Sequence, residues 1–351
     1  MKTRLFAAAS IAVLLLNFVG LGAAVDTRRN KGTKRQSNRL VTLLPASDGV
    51  AVFDAKRFLN DALPKLLSAN QPMLNEIMGK IGEMETRTGI DLRKFDQVAV
   101  GVAFKQVSSK EIDYEPVAIA SGDINAGALV AIAKLASNGT YREEKIGERS
   151  VYIFTAKAVM QKTSVKTTNS KITDAIDRAL KGLSKEIAVT AIDRNTLAIG
   201  TLPRIRETLA GGSHVGTDIT SQLSSRETAV MSFAMRTPGG MSKLLPLDND
   251  ELGTNIDSIQ FLSGSVDVLA AGTSLQMMAR TKKPEQAQGL KDTLEGLQIV
   301  GKAILGNSKR ADQKAYARML DRVKFAVRAN DVTLDLLVPQ ADIDILVAGV
   351  K

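Results

Sequence analysis

The sequence predicts an α+β protein of two similar halves, each a mainly antiparallel sheet with helices packed on one face. Three observations carry this. From Leu40 onward, apolar runs of strand length alternate with segments whose apolar residues recur every three or four positions. Pairs of strands flank short polar turns such as Asp193-Arg194-Asn195 and Ala329-Asn330-Asp331, which read as hairpins. The order strand, turn, strand, Pro, helix occurs twice, over Ile187–Leu209 and again over Val323–Leu346.

Taken in order, Val50–Phe53 reads as a strand and Ala55–Leu67 as a helix. Asn70 caps the next helix, with Pro72 in its first turn and Gly89 just beyond its end. Leu74, Ile77, Met78 and Ile81 share a face of it. Val98–Phe104 and Val117–Ser121 are strands, and Asn125 caps a helix over Ala126–Ala136. Val151–Phe154 is a strand, 155–170 a polar loop and Ile172–Leu183 a helix. Ile187–Ile192 and Thr196–Ile199 form a hairpin, and Pro203 opens a helix to Leu209. The run Gly211-Gly212-Ser213-His214-Val215-Gly216 breaks the pattern. Beyond it come a strand over Val230–Met235, a short helix over Gly240–Leu245, and a strand pair over Ile259–Ala270 and Ser274–Arg280. A long helix covers Pro284–Leu305, and Val323–Arg328 with Thr333–Val338 closes in a hairpin before a last helix. The organisation expected is a signal peptide over 1–24, a disordered basic arm over 25–39, a first α+β domain over 40–210, a linker over 211–225 and a second α+β domain over 226–351.

Lys2 and Arg4, the apolar run Leu5–Leu21 and the small residues Gly22-Ala23-Ala24 have the order of a secretory leader, with cleavage after Ala24. Cleavage places the protein in the periplasm or outside the cell. The alternative is a retained N-terminal membrane anchor, since the run is just long enough to span. Arg28, Arg29, Lys31, Lys34, Arg35 and Arg39 follow closely, and positive charge there favours retention on the cytoplasmic side. From Asp26 to Arg39 the arm holds no aliphatic or aromatic residue, so it cannot pack. Its six cations are candidate contacts to a polyanion such as an anionic lipid surface. Without interleaved aromatics it offers no platform for stacking bases, and no specific nucleic-acid partner is expected.

The net charge of +10 belongs mostly to this end. Residues 1–39 hold eight of the 47 Lys/Arg and one of the 37 Asp/Glu, which leaves the body almost neutral. There is no Cys, which excludes disulfides, thiolate metal sites, a Cys nucleophile and a lipidated N-terminal Cys. Aromatics are only 4%, so the core rests on aliphatic residues and Met.

Motifs of catalysis are weak. Gly296-Leu-Gln-Ile-Val-Gly301-Lys302 matches a phosphate loop, but Ala303 stands where Ser/Thr would hold magnesium. An apolar stripe of Leu290, Leu294, Leu297, Val300, Ile304 and Leu305 runs through the match and argues for helix. Asp248-Asn249-Asp250 begins like a calcium loop, yet Leu252 and Ile259 occupy two ligand positions. His214 is the only histidine and cannot build a zinc site alone. Acid pairs at Glu83/Glu85, Glu143/Glu144 and Asp342/Asp344 are scattered. No catalytic, cofactor-binding or metal-binding residue is assigned, and no cofactor is expected.

The start Leu44-Pro45-Ala46-Ser47-Asp48 and the two hairpin-Pro-helix ends resemble a loose group of exported bacterial proteins of unknown function with repeated strand–strand–helix modules. The resemblance implies compartment and fold and carries no catalytic residues. The function expected is therefore non-enzymatic, binding or structural, in the bacterial envelope, with an envelope protein or anionic lipid as partner. The alternative is a periplasmic hydrolase whose acidic or Ser residues meet only in three dimensions.

Overall fold

The protein is described by a computed structural model that covers residues 39–108, 111–137, 139–155, 186–223, 226, 228–239 and 250–348. The leader, the arm up to residue 38, the polar loop after residue 155, the helix expected over Ile172–Leu183 and the one over Gly240–Leu245 lie outside these residues.

The fold is α+β. Twelve strands form one sheet: β1 (Gly49–Asp54), β2 (Phe95–Ser108), β3 (Glu111–Gly122), β4 (Tyr141–Ile146), β5 (Arg149–Thr155), β6 (Glu186–Asp193), β7 (Thr196–Gly200), β8 (Met231–Arg236), β9 (Ile259–Leu269), β10 (Gly272–Thr281), β11 (Lys324–Arg328) and β12 (Asp331–Pro339). The order across the sheet is β11-β12-β10-β9-β8-β1-β2-β3-β7-β6-β5-β4, with every pairing antiparallel. Where two sheets were expected, β1 and β8 pair directly, Val52 opposite Ser232, and join everything into one. A central strand leaves no edge there for solvent to separate.

Outward from the β1–β8 seam the order is β1-β2-β3-β7-β6 one way and β8-β9-β10-β12-β11 the other. The two hairpin turns are tied down alike. Asn195 Nδ2 donates to the Gly122 and Ile124 carbonyls at 3.1 and 3.3 Å, and Asn330 Nδ2 donates to those of Thr281 and Lys282 at 3.2 and 3.1 Å.

The helices are α1 (39–43), α2 (Ala55–Arg57), α3 (Leu63–Leu66), α4 (Gln71–Thr88), α5 (Ala126–Ala136), α6 (Leu202–Ala210), α7 (Thr217–Thr220), α8 (Asp250–Asp257), α9 (Pro284–Gly306), α10 (Ala311–Arg322) and α11 (Gln340–Ala348). A π turn, Phe58–Ala62, links α2 to α3. Local signals place several ends. Asn70 accepts from Met73 N at 3.1 Å at the start of α4, and Asn125 accepts from Ala128 N at 3.0 Å at the start of α5.

Register assigns the faces, because directly opposed residues point the same way. Val50, Val52, Ala99, Ile119, Ile153 and Ala198 form one core with Leu40, Leu44, Leu202, Ile205 and Ile219, so α1, α6 and α7 cover that face. Phe154, Ile187 and Val189 point the other way and pack Val130 of α5. Near β5–β7 both faces are therefore covered, where helices on one face were expected. The reason is in β6: Ile187-Ala188-Val189-Thr190-Ala191 has no polar face to leave in water. Across β8–β12, Met231, Val266, Leu275, Leu336 and Val338 pack α3, α4 and α11. Ala287 and Leu290 of α9 extend the same layer over Val332.

Candidate functional site

The residues singled out in the sequence do not converge. Arg39 begins α1 and donates to Asp193 Oδ2 at 3.0 Å, so its charge is partnered on the body. The other five arm cations and Ala24 lie outside the described residues. His214 is exposed and pairs by an isolated bridge with Pro45. No group of three His, Asp or Glu able to hold a metal occurs among the described residues. Gly296–Lys302 lies inside α9, so its amides are spent on helix bonds and cannot cradle a phosphate. Asp250 opens α8, and a helix cannot wrap a calcium ion as a twelve-residue loop does.

At least one member of each acid pair has its own partner. Glu144 takes a two-pronged ion pair from Arg206, at 2.8 and 2.7 Å, which holds its carboxyl below the ordinary value. Glu85 pairs with Arg93. Asp342, almost fully buried, accepts from Arg318 Nε at 2.7 Å and Arg322 Nη1 at 2.6 Å. Two carboxyls, Asp54 and Asp267, are pushed upward, each chiefly by burial. Asp54 caps α2 through Arg57 N at 2.8 Å, and Asp267 accepts from the Thr228 hydroxyl. Each has a local structural task.

The Leu44–Asp48 segment is a clasp. Leu44 is fully buried. Arg204, also buried, donates to the Ala46 carbonyl at 2.7 Å and Ser47 Oγ at 2.8 Å. Asp48 accepts from Phe104 N at 2.9 Å and meets Arg236 of β8 at 3.4 Å. These residues hold the sheet seam and line no reactive site.

The feature without a structural explanation is the far end of α9. Pro284 starts this helix in its first turn. Ala287, Leu290 and Leu294 anchor it on Ala279, Val327 and Val332. Its second half is gripped by α10: Gln298 Nε2 donates to the Leu320 and Val323 carbonyls, and Lys302 pairs with Asp321. At Gly301 a Cβ would stand 2.8 Å from Leu320 Cδ1, so Gly lets the two helices close. That grip uses only one side.

On the other side Leu297, Ile299, Val300 and Ile304 are 50, 68, 55 and 70% exposed. Gly296 and Ala303 beside them are exposed too. At about 100° per residue these six positions fill an arc of about 160°, over a length of about 12 Å, with no polar side chain in it. Tyr316 on α10 is 46% exposed. Five of the eight exposed large hydrophobic side chains among the described residues thus sit on this one hairpin, which marks a patch rather than ordinary scatter. Around it, residues 296–316 carry Lys302, Lys309, Arg310 and Lys314 against Asp312; Arg310 pairs with Asp312 and Lys302 with Asp321, which leaves Lys309 and Lys314.

In the sequence, Leu297, Val300 and Ile304 read as one stripe with Leu290 and Leu294. The structure divides them: the first part faces the sheet and the later part faces outward. The signal was present, since from Leu297 the helix is apolar on both sides of Lys302, which an ordinary surface helix is not.

These features define the class: an α+β protein on a single antiparallel sheet, with an apolar helical hairpin end left open. No family model matches the chain, and no curated protein does. Among solved structures it is similar to TP0453, a Treponema envelope protein, in three crystal forms. Form IV has a TM-score of 0.42 at 9% identity, covering 90% of this chain and 100% of that one. Form I has 0.41 at 9%, covering 93% and 98%. Form III has 0.41 at 8%, covering 88% and 97%.

Proposed function

We propose that this is an exported, non-enzymatic binding protein of the bacterial envelope whose contact surface is the open end of α9. The observation that carries the proposal is the 160° apolar arc of Leu297, Ile299, Val300 and Ile304, held out by a hairpin whose other side is fully used. Leaving these four side chains half to two-thirds in water is unfavourable by that share of their transfer energy, and a partner that covers them recovers it. The leader, with cleavage after Ala24, and the absence of Cys support the compartment. The separately engaged carboxylates weigh against the hydrolase alternative. The matching strand order on either side of β1–β8 and the matching Asn195 and Asn330 anchors support the reading of two duplicated halves.

The test is fractionation of cells making the full chain, beside an Ile299→Ser/Ile304→Ser variant. The expected result is a processed protein starting at Val25 in the envelope fraction, and a variant that is folded but released. A variant that stays with the envelope as the wild type does would remove α9 from the proposal. An intact Met1 would replace the cleaved leader with an anchor.

A further inference from the structure

Resting on that reading, we infer that the occupant of the α9 end is an anionic lipid surface, into which Leu297, Ile299, Val300 and Ile304 insert while Lys309 and Lys314 face the headgroups.

Three features favour lipid over a protein socket. The first is chemistry. The arc contains no hydrogen-bonding side chain, so it asks nothing directional of what it meets, and acyl chains offer nothing directional. The second is charge. Of the four Lys/Arg in residues 296–316, Lys302 is paired with Asp321 and Arg310 with Asp312, which leaves Lys309 and Lys314 as exposed cations without an ion pair among the described residues, in a body that is otherwise nearly neutral. Lys309 lies in the turn between α9 and α10. Each basic residue close to an anionic surface strengthens attachment about fivefold. The third is length. About 12 Å of apolar arc reaches only part-way through a bilayer core of about 30 Å, so the hairpin lies at the interface and does not span. No described helix is long and apolar enough to cross a membrane.

The same arithmetic gives a role to residues 25–38. Stable membrane attachment takes two signals, one apolar and one basic. The hairpin end supplies the first with a short basic margin, and the arm with Arg28, Arg29, Lys31, Lys34 and Arg35 adds to the second.

The experiment uses the full mature chain and large unilamellar vesicles of phosphatidylcholine, with or without one-third phosphatidylglycerol, followed by co-sedimentation. The chain has no Trp, so Val300→Trp places a single fluorescent reporter in the arc. Expected are binding at least tenfold tighter to the anionic vesicles, weakening in 0.5 M salt, and a blue shift of the indole emission of the Val300→Trp variant. Ile299→Ser/Ile304→Ser lowers binding at least tenfold with an unchanged melting curve. Lys309→Gln/Lys314→Gln lowers it about twenty-fivefold on anionic vesicles and not on neutral ones. A chain lacking 25–38 still binds and still shows the shift.

Equal binding by the Ile double variant, an unshifted indole emission, or binding that vanishes with residues 25–38 would each overturn the inference. If the Ile variant is released from the cell envelope while the wild type ignores vesicles, the occupant is a protein or a second copy. The lipid inference then fails and the binding-surface reading stands. If the variant is not released at all, both fail.

Discussion

Asp342→Asn tests the join between the α9–α10 hairpin and the sheet. Asp342 sits in the first turn of α11 and is 4% exposed. It is clasped by Arg318 and Arg322, one turn apart on α10. Asn keeps the shape and one acceptor oxygen but leaves two guanidiniums facing each other. Breaking a fully buried pair costs about 3–5 kcal/mol. Here the side chains of Arg318 and Arg322 are 43 and 39% exposed and can turn to water, which pulls the cost toward the ~1 kcal/mol of a surface pair. About 2 kcal/mol is expected, a fall in Tm of roughly 4–8 °C. The assay is urea and thermal unfolding followed by far-ultraviolet circular dichroism. A triple variant, Arg318→Met, Arg322→Met and Asp342→Leu, removes the charges together and is expected to recover most of the loss, because no charge is then stranded. An Asp342→Asn variant within about 0.5 kcal/mol of wild type, the scatter of ordinary surface changes, would refute the reasoning. So would a triple variant no better than the single one.

Two further outcomes follow from buried contacts. In Gly101→Ala the new Cβ would stand 2.6 Å from Ser47 Oγ and 3.3 Å from Leu44 Cδ2. Ser47 cannot swing away, since it donates to the Pro45 carbonyl and accepts from Arg204, so a loss of about 1–3 kcal/mol is expected in the same unfolding assay, and full stability would show the clasp to be loose. Asp267 carries a carboxyl raised by burial, with Oδ1 unpartnered. A raised folded pKa means that wild type is favoured below the ordinary Asp value and loses stability as pH climbs through the folded value. Asp267→Asn keeps an acceptor for Thr228 and should therefore be the more stable protein at pH 7, with the gap closing towards pH 4. A gap that widens on acidification would reverse the assignment.

Much of the fold was legible because its signals are local. Asn70 and Asn125 cap their helices through bonds spanning three residues, and Pro72, Pro203 and Pro284 mark first turns whose orphan amide they lack. The hairpins at residues 193–196 and 328–331 came from the same kind of short-range chemistry. What was missed has no local signature. β4, Tyr141-Arg-Glu-Glu-Lys-Ile146, reads as charged surface, and it is a strand because β5 pairs with it and Arg206 neutralises Glu144. α10 is the exception: Ala311, Ala315 and Met319 recur four apart in the sequence, and only its position depends on packing, with Met319 against the core and the grip from α9. The Asp342 triad joins residues 20 and 24 apart that nothing in the sequence sets beside each other.

By itself the sequence determined the basic composition of the arm, the missing thiol chemistry, the alternation of strands and helices and most helix starts. Those depend on composition and on contacts a few residues long. The tertiary structure alone decided that the strands form one sheet through β1 and β8, that both faces are covered near β6, and that an apolar helix can have a buried half and an open half. Periodicity reports that a side chain is apolar. Which of two apolar sides meets a neighbour is settled by packing between elements far apart in the chain, and on α9 that packing spent one side on the sheet and on α10 and left Leu297, Ile299, Val300 and Ile304 facing out.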